Sequence, residues 1–240
     1  MQLEKEIWFR TICHKNGITL TDFQVDLMSQ YVNLLLAWNK KINLISRKDE
    51  ENIWTYHILH SVSPLFKLKI VEGCRIVDLG TGGGLPSLPI KIMRPDISFC
   101  CIDATRKKVN TVTQIIDELK LKEIYAIWGR AEDIGIQSDY KGKFDFVVAR
   151  AVCQLKDLIS FSDSFLKKHA YSSAPEITAN TVLFNPEPPT LIAFKGGELK
   201  EELDVAKRQF PNANIKSIDL AFPGSEQLIA SDKKILIVHP

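Results

Sequence analysis

The sequence predicts an α/β protein: a mainly parallel sheet flanked by helices, an antiparallel last strand, and a helical extension in front. Three observations carry this. From residue 74 onward, short apolar runs alternate with segments of helical period, the pattern of successive strand–helix units. The first of these runs passes straight into a glycine-dense turn. The last two, near 215–220 and 235–238, are joined by a segment with Pro223 and Gly224 and no helical period, which reads as a hairpin. On this reading residues 1–70 form a helical extension packed on the core. Residues 71–240 form the sheet domain, with a long loop at about 168–189.

The turn is the most informative stretch. Cys74 to Leu79 is a short apolar run suited to a strand buried on both faces, and Gly80-Thr81-Gly82-Gly83-Gly84 follow, leading into a helix over about 85–93. Glycines there allow a sharp turn and a close ligand. A dinucleotide fingerprint, G-x-G-x-x-G, needs a third glycine where Leu85 stands; the spacing is G-x-G-x-G instead. Asp78, two residues before the first glycine, would repel a pyrophosphate and suit the ammonium of an aminoacyl group. That combination points to S-adenosylmethionine, against the plainer reading of a structural turn. The next strand, 97–102, closes on Asp103, which lies 23 residues after Gly80. An acid about 20 residues on is where ribose hydroxyls are met. Asp103 is equally placed to cap the helix that begins near 105.

Further strands are expected near 124–128, 144–149 and 190–194, and helices near 105–120, 154–167 and 198–209. In the extension, Leu3, Ile7 and Thr11 or Ile12 suggest a first helix closed by Asn16-Gly17. Thr21 and Gln24 form a capping box, and Phe23, Leu27, Met28, Tyr31, Leu34, Leu35 and Trp38 trace an apolar stripe. Asn39 and Asn43, four apart, are expected on one helical face, followed by Ser46 and Arg47; His57 and His60 fall in the next helical segment. This polar edge reads either as capping and packing groups or as the side facing a substrate. The 168–189 segment carries four prolines, and its Asn185-Pro186-Glu187-Pro188 is a misplaced imitation of the N-P-P-aromatic motif of amino-methylating enzymes.

Composition excludes several classes. Apolar residues make up 45% and charged residues 25%, with a net charge of +2, ordinary for a globular chain and too small to announce nucleic acid by itself. No apolar run approaches the ~20 residues of a membrane span, and the charged N-terminus lacks a secretory core, so a cytoplasmic protein is expected. The five cysteines show no zinc spacing and read as structural thiols in a reducing compartment.

A parallel sheet ending in an antiparallel hairpin resembles a class I S-adenosylmethionine-dependent methyltransferase, a Rossmann-like fold. More specifically, YVNLLLAWNKKINLIS (31–46), WTYHILHS (54–61), the glycine turn, WGRAED (128–133), FDFVVARAV (144–152) and LIAFKGGEL (191–199) occur in the order of the RsmG (GidB) family. Nearly the full chain resembles that family, whose members methylate N7 of a guanine in bacterial 16S rRNA. The resemblance implies a cofactor site at Gly80, Thr81, Gly82, Gly84, Leu85, Asp103, Ala104, Thr105, Ala131 and Glu132. It implies that Arg150 lies between cofactor and substrate, and Asn39, Asn43, Ser46, Arg47, His57 and Lys195 are candidates for RNA contact. The departures are Ser87 in place of a usual glycine and the long 168–189 loop, which puts the rim of the cleft in question.

The implied partner is 16S rRNA within the small ribosomal subunit or an assembly intermediate, with the protein a monomer. Guanine N7 carries a lone pair and no proton, so no general base is expected, and Arg150 is assigned to positioning. The competing reading is a methyltransferase for a small molecule or a protein; a non-catalytic nucleotide-binding module and a dehydrogenase fit the glycine turn and Asp103 less well.

Overall fold

The computed structural model describes residues 2–168 and 184–240. Two helices lead, α1 (Gln2–Lys15) and α2 (Asp22–Asn39). A 3-10 turn (Arg47–Asn52) and a π-helical turn (Trp54–Leu59) follow, then the short α3 (His60–Val62) and α4 (Pro64–Lys67). The sheet domain runs β1 (Arg75–Leu79), α5 (Ser87–Met93), β2 (Ser98–Asp103), α6 (Arg106–Glu118), β3 (Ile124–Trp128), α7 (Ala131–Gly135) and β4 (Phe146–Arg150). It continues with α8 (Leu155–Phe165), β5 (Thr190–Gly196), α9 (Lys200–Gln209), β6 (Asn214–Asp219), α10 (Glu226–Ala230) and β7 (Lys233–His239). The strand order is β3-β2-β1-β4-β5-β7-β6, parallel except for β7, which runs antiparallel to both β5 and β6.

Side-chain alternation along the strands sends Ile76, Phe146 and Ile192 to one face, and Val77, Leu79, Val147 and Ala149 to the other. The first face packs in one apolar cluster with Phe9, Met28 and Tyr31, so the N-terminal helices bury their apolar side on the sheet domain. The expected capping box of α2 is present: Gln24 N–H donates to Thr21 Oγ1 at 3.2 Å, and Gln24 Oε1 accepts from Thr21 N–H at 3.1 Å. Gln24 Nε2 also donates to the carbonyls of Ile92 and Met93, at 3.1 Å each, which satisfies the C-terminal end of α5 and ties α2 to it.

Four sequence expectations are corrected. In α1 the buried residues are Phe9, Ile12 and Cys13, while Leu3 and Ile7 face solvent; in α2, Phe23 does the same. The helix turns its apolar stripe toward whichever neighbour covers it, and period alone does not say which. Helix α2 ends at Asn39, so Asn43 lies in the following loop and shares no helical face with it. The hairpin connection between β6 and β7 contains the short helix α10.

The expected loop at 168–189 falls largely outside the described residues, but its flanks are placed. Leu166 bridges Phe144, and Thr190 pairs with Phe146, both at the N-terminal edge of the parallel strands. Asn185–Pro188 lies at that same edge. Ligands of such sheets bind outside the carboxyl ends, so Asn185–Pro188 is indeed a decoy, and these anchor points lie away from the cleft.

Candidate active site

The turn after β1 is fastened to the neighbouring strand. Gly80 and Thr81 donate their N–H groups to Ile102 O, at 2.8 and 3.0 Å, and Gly82 N–H donates to Asp103 Oδ2 at 3.0 Å. Gly80 sits at φ +71°, and a Cβ there would fall 2.6 Å from Val152 Cγ2. Glycine is required on both counts. At Gly83 the reason is close approach alone, since a Cβ would lie 2.6 Å from Leu35 Cδ1. Tyr31, wholly buried in α2, donates its hydroxyl to Gly83 O at 3.0 Å. The helical extension therefore builds the back of the glycine turn.

Beside this turn a cavity of about 330 Å3 opens at the carboxyl ends of β1, β2, β3 and β4. Its walls are Leu79–Gly80, Ile102–Ala104, Gly129–Glu132 and Ala151–Cys153, with Lys108 and Phe161 at the margins. The volume lies within the roughly 300–1,000 Å3 of small-molecule sites. Asp103 is the buried acid of this cavity. Its Oδ1 accepts Thr105 N–H at 2.8 Å and its Oδ2 holds Gly82, which leaves each oxygen one further lone pair. Both readings of Asp103 hold: it ties down the start of the next helix and it faces the cavity.

Asp78 is not at the cavity. Leu79 lines it, so the alternation of β1 turns Asp78 to the opposite face, where it is wholly buried. Its Oδ2 accepts the Thr81 hydroxyl at 2.7 Å, and Thr81 Oγ1 lies 3.2 Å from Ser87 Oγ. Burial pushes Asp78 from an ordinary 3.8 up to about 7. The residue braces the glycine turn from below, through Thr81. Ser87, the departure from the family's usual glycine, belongs to this brace.

Arg150 is likewise turned from the cavity. Its guanidinium is held by Tyr56 O, His57 O, His57 Nδ1 and Ser61 Oγ at 2.7–3.2 Å, all from the helical turns of the extension. Lys195 donates to Cys153 O at 2.7 Å and pairs with Glu202, so its amine is engaged within the fold. Asn39 is buried, with Oδ1 accepting the N–H groups of Leu44 and Ile45 at 2.8 and 2.9 Å; it shapes the loop after α2. Of the six residues named for RNA contact, only Asn43, Ser46 and Arg47 are exposed. They lie on the same loop as Leu44, which packs against Gly83.

Residues 24–176 match the family model described as GidB, rRNA small subunit methyltransferase G. The chain belongs to this family. Among its relatives, the ribosomal RNA small subunit methyltransferase G of Lactococcus lactis subsp. lactis is 34% identical over 222 residues, covering 90% of this chain and 85% of that protein. The protein of the same name from Flavobacterium johnsoniae is 36% identical over 204 residues, covering 85% of this chain and 86% of its own. Two solved structures share the fold. A fibrillarin/Nop5p complex matches with a TM-score of 0.52 at 14% identity, covering 72% of this chain and 75% of that one. A methyltransferase from Geobacter sulfurreducens matches at 0.51 and 12%, covering 87% of each. As a GidB family member, the protein is an S-adenosylmethionine-dependent rRNA methyltransferase.

For a GidB protein the expected cofactor residues divide cleanly. Gly80, Asp103, Ala104, Ala131 and Glu132 reach the cavity; Thr81, Gly82, Gly84, Leu85 and Thr105 shape the backbone around it. Sequence reasoning missed several lining residues, among them Lys108, Gly129, Arg130, Val152, Cys153 and Phe161. Gly129, Arg130 and Val152 lie within quoted motifs, which was the signal available; Phe161 comes from mid-α8 and gave none. Among the described residues no cluster of His, Cys, Asp and Glu is arranged to hold a metal, and no helix is long and apolar enough to cross a membrane.

Proposed function

We propose that this protein methylates N7 of a guanine in 16S rRNA, presented within the small subunit or an assembly intermediate, with S-adenosylmethionine seated in the cavity beside Gly80 and Asp103. The observation that carries this is the junction of the glycine turn with Asp103 at the open end of the sheet. The donor set fits the group: Asp103 has acceptor capacity for ribose hydroxyls, and Gly80 leaves room where a side chain would intrude. The bound cofactor supplies an electrophilic methyl on a cationic sulfur. Guanine N7 needs no proton removed, so what this chain contributes is alignment, and well-oriented reactants gain roughly 7–11 kcal/mol in this way.

Guanine N7 lies on the major-groove edge, which A-form RNA buries, so an unpaired or distorted guanine is required. The exposed loop 40–47, with Lys40, Lys41 and Arg47, flanks the glycine turn through Leu44 and is the surface we assign to RNA. Lys41 Nζ lies 4.6 Å from the Trp38 ring centroid, which restrains one of these cations. A net charge of +2 favours a folded ribonucleoprotein over naked RNA; we take the enzyme to be monomeric and cytoplasmic. Transfer of a labelled methyl group to intact small subunits and, in parallel, to free 16S rRNA tests this. Label in the subunit alone or in excess supports it. Label confined to free RNA would place the substrate before assembly, and label in neither would shift the substrate to a small molecule or a protein.

A further inference from the structure

Arg150 ends β4, and the next three residues, Ala151 to Cys153, form one wall of the cofactor cavity. Ala151 has φ +54°, a left-handed conformation that an alanine keeps only when its surroundings impose it. Two restraints bracket this wall. On the far side, Lys195 Nζ donates to Cys153 O at 2.7 Å. On the near side, the Arg150 guanidinium is pinned to the helical turns of the extension, with Nη2 2.7 Å from Tyr56 O and 2.9 Å from His57 Nδ1.

The last of these contacts fixes a protonation state. An arginine only donates, so His57 Nδ1 must offer its lone pair and the ring proton must reside on Nε2. His57 Nε2 lies 3.3 Å from Asp49 Oδ2, on the 3-10 turn. The Arg150 contact thus fixes the tautomer, and that tautomer supplies one acceptor for the guanidinium beside Tyr56 O, His57 O and Ser61 Oγ. Asp49 makes no hydrogen bond to Nε2 at this separation; its carboxylate favours the Nε2 proton through charge. Burial foremost, then the charge of Arg150, lowers His57 to about 4, so the ring is neutral near neutral pH, as this contact requires.

We propose that Asp49 and His57 are positioning residues of the cofactor site: by holding Arg150 they hold the Ala151–Cys153 wall in its binding shape. This rests on the reading that the cavity beside Gly80 and Asp103 takes S-adenosylmethionine. Neither residue lines the cavity, and His57 is buried, so their influence runs through Arg150.

The test is calorimetric affinity for S-adenosylmethionine in the full-length protein, with two substitutions at one position. His57→Leu removes the acceptor while filling the site, and affinity should fall about tenfold. His57→Asn places an amide oxygen near the Nδ1 position and should stay within about threefold of wild type. In 15N-labelled protein, His57 should show the Nε2–H tautomer alone, and Asp49→Ala should weaken binding about threefold. Equal loss in the leucine and asparagine proteins, or no loss in either, would overturn the proposal. If the leucine protein does not fold, Asp49→Ala decides: an unchanged affinity overturns it. Wild type that binds the cofactor and shows this pattern, yet methylates no rRNA, would leave the inference standing and refute the proposed substrate. Failure of wild type to bind the cofactor would refute both.

Discussion

The carboxylate of Asp103, at the end of β2, accepts the backbone N–H of Gly82, in the turn after β1, across 3.0 Å. Two segments 21 residues apart in sequence are thereby locked into one cradle. Removing the carboxylate leaves Gly82 N–H and Thr105 N–H without a partner and, on the proposed reading, the cofactor's ribose as well. Asp103→Ala should therefore weaken S-adenosylmethionine binding by about 1–3 kcal/mol, the cost of unpaired polar groups. Titration calorimetry measures it, and an unchanged affinity would remove Asp103 from the site.

Gly80 and Gly73 separate conformational strain from collision. Both have positive φ, +71° and +66°, but a Cβ at Gly73 meets nothing within 4 Å, whereas one at Gly80 meets Val152. Gly73→Ala should cost ~1–2 kcal/mol of stability and leave cofactor affinity untouched. Gly80→Ala should cost at least as much and also displace Val152 from the cavity wall, so binding weakens. Denaturant midpoints and calorimetry on the two proteins distinguish the effects; equal cofactor affinities would contradict this geometry.

Acid stability has two opposing contributions. His57 is lowered from an ordinary 6.5 to about 4, and His60 is lowered as well, by burial first and by Arg150 second in both cases. The unfolded chain then binds protons that the native state refuses, so stability falls as pH drops from about 6.5 toward 4. The slope is ~1.4 kcal/mol per pH unit for each proton. Asp78, raised by burial from 3.8 to about 7, runs the other way: its contribution is present at low pH and is lost as pH rises through that window. Asp78→Asn should therefore steepen the loss of stability on acidification, and His57→Asn should flatten it. Urea denaturation at a series of pH values reads both slopes, and a reversed order would contradict the assignment.

Lys195 and Arg47, both candidates for RNA contact, are expected to behave differently. Lys195 is paired with Glu202, which also accepts the N–H of Leu155, at the start of α8. Lys195→Met leaves that mostly buried carboxylate without its cation and should lower stability by ~1–3 kcal/mol. Arg47→Ala, on an exposed turn, should leave the melting temperature unchanged and reduce both subunit binding and its salt dependence. A stable Lys195→Met protein with weakened subunit binding would return Lys195 to the RNA surface.

What the sequence revealed was what the backbone dictates. The turn at Gly80–Gly84, the acid at Asp103 and the strand–helix alternation are local and survive any packing, so they were legible. The strand ends near the site fell within a few residues of expectation for the same reason. Side-chain direction was not legible. Arg150 and Lys195 end adjacent strands at the open edge, and sequence gave no sign that tertiary partners, Tyr56, His57 and Glu202, would claim them. Asp78 is absent from the cavity wall for a simpler cause: one residue of strand alternation separates the cavity from the core beneath it. Leu3 and Ile7 obey a helical period yet face solvent, because period sets a stripe and only a neighbour buries it.

One measurement tests both the cavity beside Asp103 and the reaction. 16S rRNA from reactions with small subunits is digested and its 7-methylguanosine quantified by mass spectrometry, for wild type and Asp103→Ala, at limiting and at saturating S-adenosylmethionine. Wild type should yield 7-methylguanosine, and the variant should lose about tenfold or more at limiting cofactor and recover at saturation. No 7-methylguanosine with wild type, or equal yields from the two proteins at limiting cofactor, would contradict it.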